Sequence, residues 1–239
     1  MDKKIGSEPA LQRGLRVGKT HAQELVNLYG AHAQSELFRA GDLLRINCAH
    51  VVMLYETGII TLEEARLILK TIQKLETDGV NQVIRLDPRV GDLSTHVEAY
   101  IIKETGPEVG GKIHTGRSRN DLYPTLTRML LRRSLLEVYG ALITLEESLL
   151  ILASEHGQTV MPGYTHHSQH AQPITLGYYF LGNVDVFLRD LDRCEDLWPR
   201  LNRCPMGSAL PFSRRSAPPS FRVSRASPPV FPSAPRRRR

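Results

Sequence analysis

An apolar repeat in residues 122–155 constrains this chain more than any other feature. Leu135, Val138, Leu142, Leu145, Leu149 and Leu152 follow one another at alternating spacings of three and four. That is the period of a helix packed in a bundle, not of a strand. Leu136, Ile143, Leu150 and Ile151 widen the stripe beyond one seam, and a helix apolar around so much of its circumference needs neighbours on several sides. The expected fold class is all-α, with a multi-helix core completed by other subunits.

The rest of the chain fits around that helix. Residues 1–20 are polar and contain Gly6, Gly14 and Gly18, the composition of an extended N-terminal arm. Helical patterns begin near His21. Residues 36–56 carry Leu37, Leu43, Leu44, Ile46, Val51, Val52, Leu54 and Tyr55. A second helix opens on Thr61-Leu62-Glu63-Glu64, a capping box with Thr61 as N-cap and Glu64 at N3. These two segments are expected to pair as a helical hairpin, with His50 a satisfied histidine on a helix face. Residues 80–91 contain β-like material, Val80, Val83 and Ile84, broken by Pro88 and Gly91. A helix is expected over 92–104, and another from about Ile174 towards Trp198, ended or kinked by Pro199.

Directly ahead of the long helix stands a polar run, Gly110-Gly111-Lys112-Ile113-His114-Thr115-Gly116-Arg117-Ser118-Arg119-Asn120-Asp121. A polar loop feeding a helix N-terminus offers unpaired backbone N–H groups and a positive dipole end, which favour an anion. Asn120 or Asp121 serves as N-cap in this reading, with Pro124 in the first turn. Arg117 and Arg119 add planar forks suited to carboxylates. The residues alone describe either a carboxylate or phosphate site or a solvated capping loop.

A second loop reads Met161-Pro162-Gly163-Tyr164-Thr165-His166-His167-Ser168-Gln169-His170-Ala171-Gln172-Pro173. The two stretches together resemble the first and second signatures of the argininosuccinate lyases, in the fumarase/aspartase superfamily. The likeness covers about residues 20–210. It implies an N-terminal helical domain over 21–110 and part of a long-helix central bundle over 111–210. It also implies a cytoplasmic, cofactor-free and metal-free homotetramer that eliminates arginine from argininosuccinate, releasing fumarate, in arginine biosynthesis. His114, Thr115, Ser118, Arg119, Asn120 and Thr165 are the implied substrate-binding residues. The family's functional histidine falls on His166 counted from the left of the second motif and on His167 counted from the right, because this chain has one extra residue before Gln169.

Two departures accompany the resemblance. Ser94 falls where these lyases have a histidine, and His96, two residues on, is assigned no role. The superfamily's third signature, a loop of the form Gly-Ser-Ser-x-Met-Pro-x-Lys-x-Asn carrying the proposed serine base, does not occur in the sequence. A non-catalytic structural or oligomerisation relative is therefore the alternative reading.

Charge decides what the chain is not expected to bind. The net charge is +6, but residues 211–239 hold eight Arg and no Asp, Glu or Lys, so the remainder carries −2. The body is mildly acidic, which argues against a nucleic-acid surface. Pro, Ser and Arg make up most of that tail, a composition too poor in apolar surface to offset ordering. It reads as disordered, and the abrupt end of the likeness near Leu210 reads as a frameshift. The three cysteines, Cys48, Cys194 and Cys204, have no metal-ligand spacing. No apolar run is long enough to cross a bilayer.

Overall fold

The computed structural model describes residues 36–87 and 91–207. The polar arm, the helical pattern from His21 to residue 35, Pro88 and the Arg-rich tail lie outside the described residues. Those described fall into two compact units, one of residues 36–126 with 205–207, the other of residues 127–204.

In the first unit a 3₁₀ turn, Leu37–Arg39, leads into α1 (Ala40–Glu56). The turn at Gly58 (φ 74°) leads on to α2 (Leu62–Asp78). The expected capping box is present: Glu64 N–H donates to Thr61 Oγ1 at 3.2 Å and Thr61 N–H donates to Glu64 Oε2 at 2.9 Å. Leu43, Leu44, Val51 and Leu54 of α1 are buried with Ile68, Ile72 and Leu75 of α2, so the helical hairpin forms as the apolar spacing requires.

Two corrections follow. The β-like residues 80–83 form a single helical turn, α3 (Val80–Val83). Val80 and Ile84 are buried there, and burial overrides the intrinsic strand preference of β-branched side chains. The next helix, α4 (Leu93–Thr105), opens on Asp92, whose carboxylate accepts the Thr95 N–H at 2.8 Å. A short helix, α5 (Pro107–Gly110), and a 3₁₀ turn, Gly111–His114, then lead to the long helix α6 (Arg119–Glu155) of 37 residues.

The start of α6 is the second correction. It begins at Arg119 rather than 122, with Ser118 and not Asn120 or Asp121 ahead of its first residue. The Ser118 N–H donates to Asp121 Oδ1 at 2.9 Å, and the Asn120 N–H donates to Ser118 Oγ at 3.2 Å. Ser118-x-x-Asp121 thus acts as a reciprocal cap. Pro124 consequently lies inside the helix.

The second unit pairs residues 127–155 of α6 with α7 (Leu176–Leu201) through the hairpin that joins them. Tyr139, Glu146 and Ala153 are buried on α6, and Gly177, Val184, Leu191 and Trp198 on α7. Both series step by seven, so each helix shows its partner a constant stripe. A Cβ on Gly177 would stand 2.6 Å from the Ala153 carbonyl oxygen, so the helices meet there with no room for a side chain. Only part of the expected seam is covered: Val138, Leu145 and Leu152 are exposed. Pro199 does not end α7, which continues to Leu201, with the Asn202 N–H donating to the Trp198 carbonyl at 2.8 Å. Arg128 closes that end by donating to the Arg200 carbonyl at 2.8 Å.

The second candidate loop is not irregular. It is an antiparallel hairpin of β1 (Val160–Thr165) and β2 (Gln169–Thr175), with Thr165 opposite Gln169 and Val160 opposite Thr175. The hairpin falls within the second loop, so the all-α expectation stands: the other elements of the described residues are helices. No helix among the described residues is long and apolar enough to cross a membrane.

Candidate functional site

The first candidate site is built by three elements of the first unit. The 3₁₀ turn sets His114, the extended residue Thr115 follows, and Gly116 at φ 73° reverses the chain. That left-handed conformation favours glycine, which has no Cβ to clash with the backbone. The chain then enters α6 through the Ser118 cap. Thr115, Arg119 and Asn120 are exposed, while His114 and Ser118 are half-buried. The loop therefore brings five of the implied substrate-binding residues to one helix N-terminus, whose dipole favours a carboxylate, while the N–H groups of Ser118, Asn120, Asp121 and Leu122 are bonded within the cap.

Two polar residues of the run face inward. Arg117 is buried and its Nη1 donates to Asn47 Oδ1 of α1 at 2.6 Å, so it offers no fork to a ligand, against the expectation from its type. Asp121 is fully buried, its Oδ1 capping Ser118 and its Oδ2 accepting the Gly207 N–H at 3.2 Å.

Carboxylates frame the exposed residues. Arg119 Nη1 lies 3.1 Å from Asp92 Oδ2, linking the start of α6 to the start of α4. Burial would raise the Asp92 pKa, but the Thr95 hydrogen bonds, Arg119 and Tyr123 together hold it below the usual range. Tyr123 is pushed far above the usual phenol range by burial and by the Asp92 and Glu36 carboxylates, so it stays protonated and can only donate to them. His114 Nδ1 stands 3.1 Å from Glu98 Oε2 but out of line for a hydrogen bond. Burial would raise Glu98 too; His114 with Arg117 and Arg119 outweigh it and leave the carboxyl below its ordinary value.

His50 is buried in α1, as a satisfied histidine should be, and its Nε2–H donates to the Thr115 carbonyl at 3.0 Å. Burial and the adjacent Arg117 charge push its pKa down to about 4. His96 is likewise structural: Nδ1–H donates to the Asp92 carbonyl and Nε2 accepts the Asp87 N–H, both at 2.8 Å. Ser94 is buried beside it in sequence.

Thr165, His166 and His167 belong to the hairpin of the second unit, and all three are exposed. Thr165 Oγ1 and His166 Nδ1 are 2.8 Å apart. His166, His167 and Ser168 make the turn at φ 35°, 56° and 68°, three successive non-glycine residues in the left-handed region. The bulge between Gly163 and Tyr164 leaves Ala171 unpaired, since Gly163 faces Gln172 and Tyr164 faces His170.

Sequence reasoning did not single out Asn47, Asp92 or Glu98 as parts of this site, and offered Asp121 only as an N-cap. The available signals were the Ser118-x-x-Asp121 spacing and the polar pair Asn47 and His50, three apart among the apolar residues of α1.

Comparisons with known proteins agree with this architecture. A family model described as lyase matches residues 31–221. An argininosuccinate lyase of Shouchella clausii is 40% identical over 81% of this chain and 39% of its own length. One from Methanococcus maripaludis is 37% identical over 82% of this chain and 40% of its own. The crystal structure of an EDDS lyase in complex with formate matches at TM-score 0.62 and 36% identity, covering 84% of this chain and 40% of that one. The chain thus spans about 40% of the length of the curated relatives it matches. It belongs to the lyase family, within the fumarase/aspartase superfamily, and its relatives there include the argininosuccinate lyases.

Proposed function

We propose that the chain is an argininosuccinate lyase-like C–N lyase of the cytoplasm, from a family whose intact members act as homotetramers, and that the 239-residue chain alone is inactive. The observation that carries this reading is the set of exposed side chains at the α6 N-terminus: Thr115, Arg119 and Asn120, with Ser118 half-buried behind them. The elimination removes a proton from the carbon next to a carboxylate as the C–N bond breaks. Negative charge then gathers on that carboxylate, and prearranged donors are worth most where charge develops. The positive end of the α6 dipole and the side chains of Ser118, Arg119 and Asn120 are such groups, and the Asp121 carboxylate faces inward onto the Ser118 and Gly207 N–H groups.

Thr165 and one of His166 and His167 complete the proposed machinery, the histidine holding or moving a proton near neutral pH. Changing each of the two to Asn separates the role. The third signature is not in the sequence, so this chain is proposed to supply two of the three signatures of such a site, with no proton-abstracting serine assigned among its residues. The functional division proposed is 21–110 for the N-terminal helical domain and 111–210 for the central bundle.

Calorimetric titration with argininosuccinate tests the site. Binding that weakens about tenfold or more in Asn120→Ala, the loss expected of one hydrogen bond to a charged group, supports the proposal. Equal binding by wild type and Asn120→Ala would remove its basis.

A non-catalytic assembly role is the second reading. It is favoured by one observation: Leu136, Val138, Leu145, Leu150, Ile151 and Leu152 expose apolar surface along α6, more than a solitary helix pair tolerates.

A further inference from the structure

The first loop is held from behind at two points by a single helix face. Asn47 and His50 are three residues apart on α1, hence on one side of it, and both are buried. His50 donates to the Thr115 carbonyl at 3.0 Å, and Asn47 accepts from Arg117 at 2.6 Å. These two anchors flank Gly116, the reversal at φ 73°. The next residues are Ser118, half-buried, then Arg119 and Asn120, exposed groups of the candidate site. Neither Asn47 nor His50 reaches the surface itself.

We infer that Asn47 and His50 are positioning residues, a two-point clamp that fixes the backbone reversal at Gly116 and so aims Ser118, Arg119 and Asn120 outward. The clamp is specific in geometry. A carbonyl oxygen only accepts, so His50 must carry its proton on Nε2; the Arg117 guanidinium only donates, so the Asn47 side chain must turn its oxygen to it. Helix α1 packs firmly against α2 through Leu43, Leu54, Ile68 and Ile72, which gives the clamp a rigid base. The consequence for ligand binding rests on the proposed carboxylate site; the clamp itself does not.

The test compares the full 239-residue chain with His50→Phe, which keeps a ring but removes the donor, and with Asn47→Leu. Amide hydrogen exchange is followed across residues 114–121 and across α2, and succinate affinity is titrated in parallel. The clamp predicts exchange in 114–121 faster by about tenfold or more, the signature of local opening, with α2 unchanged and succinate binding weakened. Faster loop exchange with no succinate binding even by wild type would uphold the clamp while removing the carboxylate reading of the loop. Equal acceleration in the loop and α2 would show a general packing role and overturn the inference, as would no change in the loop. Should both variants fail to fold, the wild-type protein decides: a scalar coupling from His50 Nε2 to the Thr115 carbonyl carbon is expected, and its absence contradicts the clamp.

Discussion

The two candidate loops carry similar polar residues in contrasting surroundings. The run around Gly116 is backed by buried partners, Asn47, His50 and Asp121, that take up its inward-facing groups. The hairpin turn has His166, His167 and Ser168 in left-handed backbone, all exposed, with the Thr165–His166 contact among its few side-chain bonds. One loop is prearranged by its own unit. The other holds its shape at a backbone cost, and the α6 and α7 surfaces of the same unit leave Leu145, Leu150, Tyr178 and Tyr179 exposed. The first loop is finished by its own fold, whereas the proposed function leaves the second to be completed by assembly.

The largest effect that could break this comparison is at Asp121. Asp121→Ala strips acceptors from the Ser118 and Gly207 N–H groups, a loss of about 3 kcal/mol or more at roughly 1–3 kcal/mol for each buried group left unpaired. Asp121→Asn retains one acceptor and should lose about half as much by denaturant unfolding. Equal, near-zero effects would mean that the first loop is no better supported than the hairpin.

The pH dependence comes next. His50 has a folded pKa of about 4 against 6.5 unfolded, lowered by burial and Arg117, with Asp121 opposing and His114 adding to the effect. The unfolded chain therefore binds the proton more readily. Stability is full above pH 6.5, falls as pH drops towards 4 and gains no further slope from this group below that. The total is on the order of 3 kcal/mol. His50→Phe should flatten the curve in that window, while the lowered carboxylates Asp92 and Glu98 continue to destabilise at more acid pH.

Packing behind the loop is tested by Gly110→Ala, whose Cβ would meet Ile102 Cα at 2.7 Å and Thr105 Oγ1 at 2.5 Å. A cost of about 2 kcal/mol is expected from overpacking, against a few tenths for Gly111→Ala, where nothing lies within 4 Å. The smallest effect belongs to the hairpin. His167→Gly at φ 56° should stabilise the second unit by roughly 1 kcal/mol through relief of the left-handed conformation, a gain with no counterpart in the first loop.

Legibility in the sequence followed how local each determinant was. The Thr61–Glu64 cap and the apolar faces of α1 and α2 are set by neighbours in sequence and were readable. The Ser118–Asp121 cap has the same spacing, yet Asn120 and Asp121 each look like N-caps by residue type, which hid the earlier helix start. The hairpin was obscured by Pro162, Gly163 and Pro173, usual breakers that a two-stranded ribbon tolerates. The buried stripe of α6 escaped because Tyr139, Glu146 and Ala153 are less apolar than the leucines beside them. The grip of Asn47 and His50 on the loop spans 70 and 65 residues, a separation that no local pattern encodes.

The most direct test of the lyase account is fumarate release, followed by ultraviolet absorbance, from argininosuccinate and the 239-residue chain. The chain is assayed alone and co-assembled with an argininosuccinate lyase that keeps its serine loop but has lost its own signature histidine. Negligible turnover by either component alone is expected. Co-assembled material should regain turnover, lose it with Asn120→Ala in this chain, and lose it with Asn at only one of His166 and His167. Mixed assemblies, verified by native mass, that stay inactive would contradict the account, as would robust turnover by the chain alone.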